Sequence, residues 1–158
     1  MKDIINLLTL SPYISTSFHL NEFNSALDRL QAAYFQKKQT FVQALDEEVP
    51  FPLSETLKKL AIEHEVNLES TEDVDAFMSK IRDEIQNIST LTITLSIQPK
   101  MSLIRVINDW IIHNLKQVVV MDFVVDYSLI AGAKIAFNGK ISDHSVTREM
   151  AEAIKMSI

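Results

Sequence analysis

The chain has 158 residues, a net charge of −6 and no cysteine. That length makes one domain, or a domain with a small helical companion, and buries roughly 70% of the unfolded surface without covalent staples. The missing cysteine excludes a disulfide framework, a thiolate nucleophile and a zinc ribbon, and the acid excess suits a phosphate backbone poorly, so no nucleic-acid partner is expected.

With 47% apolar residues, two glycines and four prolines, the composition favours long regular elements joined by short connections. No apolar run approaches the ~20 residues of a membrane-spanning helix. The opening Met1-Lys2-Asp3-Ile4 carries an early acid and too short an apolar stretch for a signal peptide. A cytosolic or peripheral protein without direct membrane insertion is expected.

Taken in chain order, Phe23, Leu27, Leu30, Tyr34, Phe41 and Leu45 fall at steps of three and four, with one step taken by Lys37. The spacing predicts a helix of about six turns, capped by Asn21 and ended by Pro50 and Pro52, which cannot continue the hydrogen-bond ladder. Ser54 caps a short helix carrying Leu57, Leu60 and Ala61. Ser70 opens a third, with Asp73 in its first turn and Val74, Phe77, Met78, Ile81, Ile85 and Ile88 on one side.

The period then changes to two. Leu91, Ile93, Leu95 and Ile97 alternate with Thr92, Thr94 and Ser96, which predicts a strand with one buried face. Pro99 stops it, and Ser102 caps a helix bearing Leu103, Ile107, Trp110, Ile111 and Leu115. Ile104, Val106 and Ile112 widen that stripe, so the helix is expected to be covered on more than one side. The nearly continuous apolar run Val118–Val125 suits a central strand buried on both faces and completes a right-handed βαβ unit. Ala133, Ile135 and Phe137 give a further strand, Asn138-Gly139 a type I′ hairpin turn, and Lys140-Ile141-Ser142 its return. Asp143 or Ser145 caps a last helix with Val146, Met150 and Ile154. The fold class is α+β: helices over residues 1–89, then a small α/β domain over residues 90–158 in the order β-α-β-β-hairpin-α.

The search for chemistry comes back empty. His19, His64, His113 and His144 stand in no metal-ligand spacing. Asp143-His144-Ser145 has the letters of a hydrolase triad, but adjacent residues cannot point at one another as nucleophile, base and orienter must. Asp122 and Asp126, four apart on a strand, would lie about 13 Å apart, too far for a pair of carboxylates working on one glycosidic bond. One glycine in Ala131-Gly132-Ala133 makes no phosphate cradle, and a lone Trp110 at helical spacing is core before it is a cofactor platform. No catalytic, cofactor-binding or metal-binding residue is expected, and no cofactor.

One ordered set of residues is more informative. Asp126, the Leu129-Ile130-Ala131-Gly132 step into a strand, and Asp143-x-Ser145-Val146 after the hairpin resemble the C-terminal domain of the delta subunit of rotary ATP synthase, the homologue of the mitochondrial oligomycin-sensitivity-conferring subunit. The resemblance covers about Leu91 to Met150. Ala131 stands where that family has its first glycine, and about ninety residues precede the first strand where the family has a six-helix bundle, so the chain resembles a reduced form.

The resemblance implies a non-catalytic stator component that links the catalytic head to the peripheral stalk and supports proton-motive ATP synthesis, peripheral on the cytoplasmic side of the membrane. The implied partners are a b-type stalk subunit for the C-terminal domain and the α subunits of the head for the helical part. The stripe Phe23, Leu27, Leu30, Tyr34 and Phe41 is bundle core by default, and its other reading is a groove that takes an amphipathic helix of the head. The alternative is a small cytosolic α/β ligand-binding protein or enzyme with a pocket at the strand carboxyl ends, near Ser128 or His144. Convergent polar groups in such a pocket would favour it; an apolar groove would favour the stator. A charge at Ile130 or Gly132 is expected to destabilise the fold, both residues being read as a packed strand entry.

Overall fold

The computed structural model describes residues 5–36 and 39–146. They fall into two compact units: residues 5–14 and 18–88 form unit 1, and residues 15–17 and 89–146 form unit 2.

Unit 1 is helical among the described residues. A 3-10 turn at Leu7–Thr9 leads to α1 (Ser11–Ile14), α2 (Ser17–Gln36), α3 (Phe41–Glu48), α4 (Leu53–Glu63) and α5 (Thr71–Gln86). The single six-turn helix expected over the Phe23–Leu45 stripe is in fact two. Thr40 opens α3 with a capping box: its hydroxyl accepts from the Gln43 amide at 3.3 Å, and the Gln43 side chain accepts from the Thr40 amide at 3.1 Å. Two orphan donors are satisfied at that point, which favours a new start over a continued helix. Two other caps also differ. Asn21 lies inside α2, and Ser54 lies inside α4, whose N-cap is Pro52. Ser70 caps α5 as expected, accepting from the Asp73 amide at 3.3 Å.

The core of unit 1 draws one stripe from each long helix. Phe23, Leu27 and Leu30 of α2, Phe41 and Leu45 of α3, Leu57 and Leu60 of α4, and Val74, Phe77, Met78 and Ile81 of α5 are all buried. Phe41 meets Phe77 edge to face with ring centres 6.5 Å apart and Tyr34 at 5.8 Å, the arrangement the ring quadrupoles favour. At the surface Arg82 of α5 reaches Asp28 at 2.8 Å and Gln31 at 3.1 Å on α2. Lys58 of α4 pairs with Asp46 at 2.6 Å and Glu55 at 2.8 Å. Its hydrogen bonds to Asp46 and then Glu55 hold its ammonium above the usual lysine range.

Unit 2 contains β1 (Thr90–Leu95), α6 (Met101–Leu115), β2 (Val120–Val125), β3 (Gly132–Phe137) and β4 (Lys140–Ser145). The sheet order is β2-β1-β3-β4, with β1 parallel to β2 and antiparallel to β3, and β3 antiparallel to β4. The central strands are therefore β1 and β3, and β2, expected at the centre, is one of the two edge strands. Its free side is taken by residues 15–17: the Met121 amide donates to the Ser15 carbonyl at 2.9 Å, Thr16 forms a parallel bridge to Met121, and the Ser17 hydroxyl donates to Asp122 at 3.2 Å. The apolar run reflects burial of one end only, since Val119, Val120 and Met121 are buried while Val124 is exposed.

Leu91, Ile93 and Leu95 share a register with Met121, Phe123 and Val125 on one side and with Phe137, Ile135 and Ala133 on the other. This is the face that α6 packs against through Ile104 and Ile111. The N-cap of α6 is Lys100, with no side-chain cap, so Ser102 sits within the helix and not before it. The Asn138-Gly139 hairpin is present, with φ of 48° and 74° as a type I′ turn requires. Asp143 lies within β4, opposite Lys134 on β3, and Ser145 is the last residue of that strand, opposite Gly132. The strand thus runs on where a helix cap was expected at Asp143. Met150 and Ile154 lie outside the described residues.

Candidate partner-binding surfaces

Helix α6 is too apolar to satisfy with one face. Ile104 and Ile111 close onto Ile93, Val119 and Met121, and Leu103, Ile107, Trp110 and Leu115 are left over beside them. These four form one wall of a cleft of about 520 Å³ whose floor is Leu91, Leu95, Ala133, Ile135 and Phe137. Every side chain lining it is apolar. Trp110 is 58% exposed, with Leu103 and Leu115 also open. The cleft wall is the main stripe of α6; of the residues that widen it, Ile104 joins the core and Val106 stays exposed away from the cleft.

A second, smaller groove of about 330 Å³ lies in unit 1, lined by Tyr13, Phe18, Phe23, Phe51 and their neighbours. Phe18 is 70% and Phe51 80% exposed. Of the two readings of the stripe, bundle core and head-binding groove, burial favours the first. Phe23, Leu27, Leu30 and Phe41 are buried and Tyr34 is half-buried; of the five, Phe23 also reaches this groove. The stripe is core, and Phe18 and Phe51 are the side chains offered outward. Each is an isolated aromatic without periodic company, so spacing could not single it out.

The motif residues of unit 2 gather where β3 begins and β4 ends. Asp126 accepts from the Ser128 amide at 2.9 Å and its hydroxyl at 2.6 Å; these bonds hold its carboxyl below the usual range. Leu129 is buried. The Val146 amide donates to the Ala131 carbonyl at 3.0 Å, and the Asp143 carboxylate accepts from the Ser145 amide at 2.9 Å. Gly132 has φ of +88°, and a Cβ there would meet the His144 carbonyl oxygen at 2.2 Å. Ile130, expected in the packing, is 64% exposed.

The remaining polar constellations do not converge. Strand alternation puts His144 on the opposite face from Asp143 and Ser145; its Nε2 meets the Ser142 hydroxyl at 2.7 Å on an exposed strand. The depression at the carboxyl end of β1, about 400 Å³, has Lys100 as its one charged side chain, beside Ser96, Gln98 and Ser102. Among the described residues no three His, Asp or Glu side chains cluster as a metal site would need.

With this architecture in place, the sequence matches the family described as ATP synthase delta (OSCP) subunit over residues 14–155, most of its length. The chain belongs to that family. A comparison with curated proteins finds no match. The resemblance first carried by the region after Leu91 therefore extends through the helical half, and the family is a structural subunit of a membrane-associated complex. Among the described residues no helix is long and apolar enough to cross a membrane. The geometry also explains how this delta-family chain accommodates Ala131: the left-handed φ falls at Gly132 and not at Ala131, so only the second position of the step needs a glycine's freedom.

Proposed function

We propose that this chain is the non-catalytic linker of an ATP synthase stator, joining the catalytic head to the peripheral stalk on the cytoplasmic side of the membrane and so supporting proton-motive ATP synthesis. The observation that carries the reading is the cleft of unit 2, lined by twelve apolar side chains. A small-molecule site needs a few polar groups placed to orient its ligand. A cleft walled by a helix and floored by a sheet, with none, suits the apolar face of an amphipathic helix.

In this reading the cleft takes a helix of the b-type stalk subunit, and the Phe18–Phe51 groove of unit 1 is the surface toward the α subunits of the head. Trp110 is the anchor: a half-exposed aromatic in an apolar cleft is the kind of side chain that dominates binding energy. The alternative of an α/β enzyme finds little support at the strand carboxyl ends, where Lys100 has neither an acid nor a histidine among the lining residues.

Mixing the purified chain with the organism's own stalk subunit and catalytic head tests this. Stable association with both is expected, over the ~1,200–2,000 Å² of a standard interface. Association with neither by a correctly folded chain would overturn it.

A further inference from the structure

We infer that the helix held in the unit 2 cleft is an amphipathic one whose apolar stripe is bordered by acidic residues. The inference rests on the reading that the cleft takes a helix, and it adds the charge of the occupant.

The cleft itself is uncharged, so its borders decide which flanks it accepts. On the sheet side the border is β4. Lys140, Ser142 and His144 are the register partners of Phe137, Ile135 and Ala133, and those three line the cleft. Partners directly opposite in a sheet point to the same face, so the β4 border carries a lysine and a histidine and no acid. On the helix side, Lys100 precedes the first residue of α6 and Lys116 follows its last. Lys100 also lines the depression that shares Leu95 and Leu103 with the cleft and so continues it.

The acids of the described part of unit 2 lie elsewhere. Asp122 is in register with Thr92 and Asp143 with Lys134, on the other face of the sheet. Asp126 is engaged in its turn with Ser128. Asp109 is on α6 but outside the cleft lining, four residues from Arg105 and on the same side of the helix. Three lysines spread around a neutral cleft, with no facing acid among the described residues of unit 2, make a border complementary to Glu and Asp and repulsive to Lys and Arg. Such borders select and orient a partner more than they bind it.

The test uses the full chain and two synthetic peptides of about 18 residues, long enough to run the length of α6. Both carry the same leucine stripe at helical spacing; its bordering positions are all Glu in one and all Lys in the other. Trp110 is the only tryptophan and lines the cleft, so its emission reports occupancy. The Glu-bordered peptide should bind roughly tenfold tighter at low salt, as a few exposed charge pairs allow, and lose that advantage in high salt. The Lys100→Glu, Lys116→Glu, Lys140→Glu triple variant, its far-UV spectrum unchanged, should reverse the preference. Equal affinity for the two peptides would overturn the acidic border and leave the helix-binding cleft standing. If neither peptide moves the Trp110 emission, the cleft is closed by another part of this chain or by a second copy, and both readings fall.

Discussion

The two units treat their apolar side chains in opposite ways. Unit 1 seals its aromatic core: Phe23, Phe41 and Phe77 are each no more than 2% exposed, although Phe18 and Phe51 stand out beside it. Unit 2 leaves its sheet unfinished. Leu91, Leu95, Ile135 and Phe137 are only half-buried, and Trp110 stands open beside them. Apolar surface left in contact with water weakens a unit taken alone and strengthens it when a partner arrives. The difference lies in what each unit keeps exposed: unit 1 buries its core aromatics, while unit 2 leaves open the apolar side chains that the proposed partner would cover.

Substitutions that strike each kind of surface can break or sharpen that contrast. The largest expected effect is in the sealed core. Phe77→Ala removes a ring that packs against Phe41 and should cost about 3–5 kcal/mol, read as loss of the helical melting transition. A shift of less than about 1 kcal/mol would mean that unit 1 is not close-packed.

Gly132→Val comes next. It places a Cβ against the His144 carbonyl at a left-handed φ and should cost about 1–3 kcal/mol or more in unit 2 stability. The neighbouring Ala131→Gly should change stability by less than about 1 kcal/mol. Thermal denaturation of the pair separates a backbone requirement from a general intolerance of the loop.

Trp110→Ala should divide stability from binding. Its ring is more than half exposed, so the melting temperature should move little, while affinity for a stalk helix should fall by about 2 kcal/mol in a calorimetric titration. Equal losses in both would make Trp110 a core residue. The smallest effect is expected at Ile130→Asp, within about 0.5 kcal/mol of the parent in denaturant unfolding, because Ile130 faces water. That reverses the expectation drawn from sequence, where Ile130 was read as packed.

The pattern of successes follows the physics of each signal. Helix α5 carries its own cap at Ser70 and an unbroken stripe, and the hairpin carries Asn138-Gly139; both are local, and both were legible. The split between α2 and α3 was also written locally, in Thr40 and Gln43, but the apolar spacing ran across it. The position of β2 was not readable from its own residues. Its outer side is filled by Ser15 and Thr16, a polar segment more than one hundred residues earlier with no strand pattern. The binding surfaces were half legible. The apolar width of α6 is legible, but its spacing is read as cover on more than one side, where the structure leaves Leu103, Val106, Trp110 and Leu115 exposed; Phe18 and Phe51 are known as surface residues only once the helices around them are placed.

The central claim is that the unit 2 cleft grips a stalk helix. Titrating the full chain with the organism's b-type stalk subunit, following Trp110 emission, tests it most directly, with a Leu103→Asp, Leu115→Asp variant as the comparison. Both leucines line the cleft and are partly exposed, so the variant should stay folded. The account predicts a saturable blue shift for the parent chain and at least a hundredfold weaker binding for the folded variant, about 2.7 kcal/mol. Binding of the variant at parental affinity would place the stalk on another surface and contradict the account.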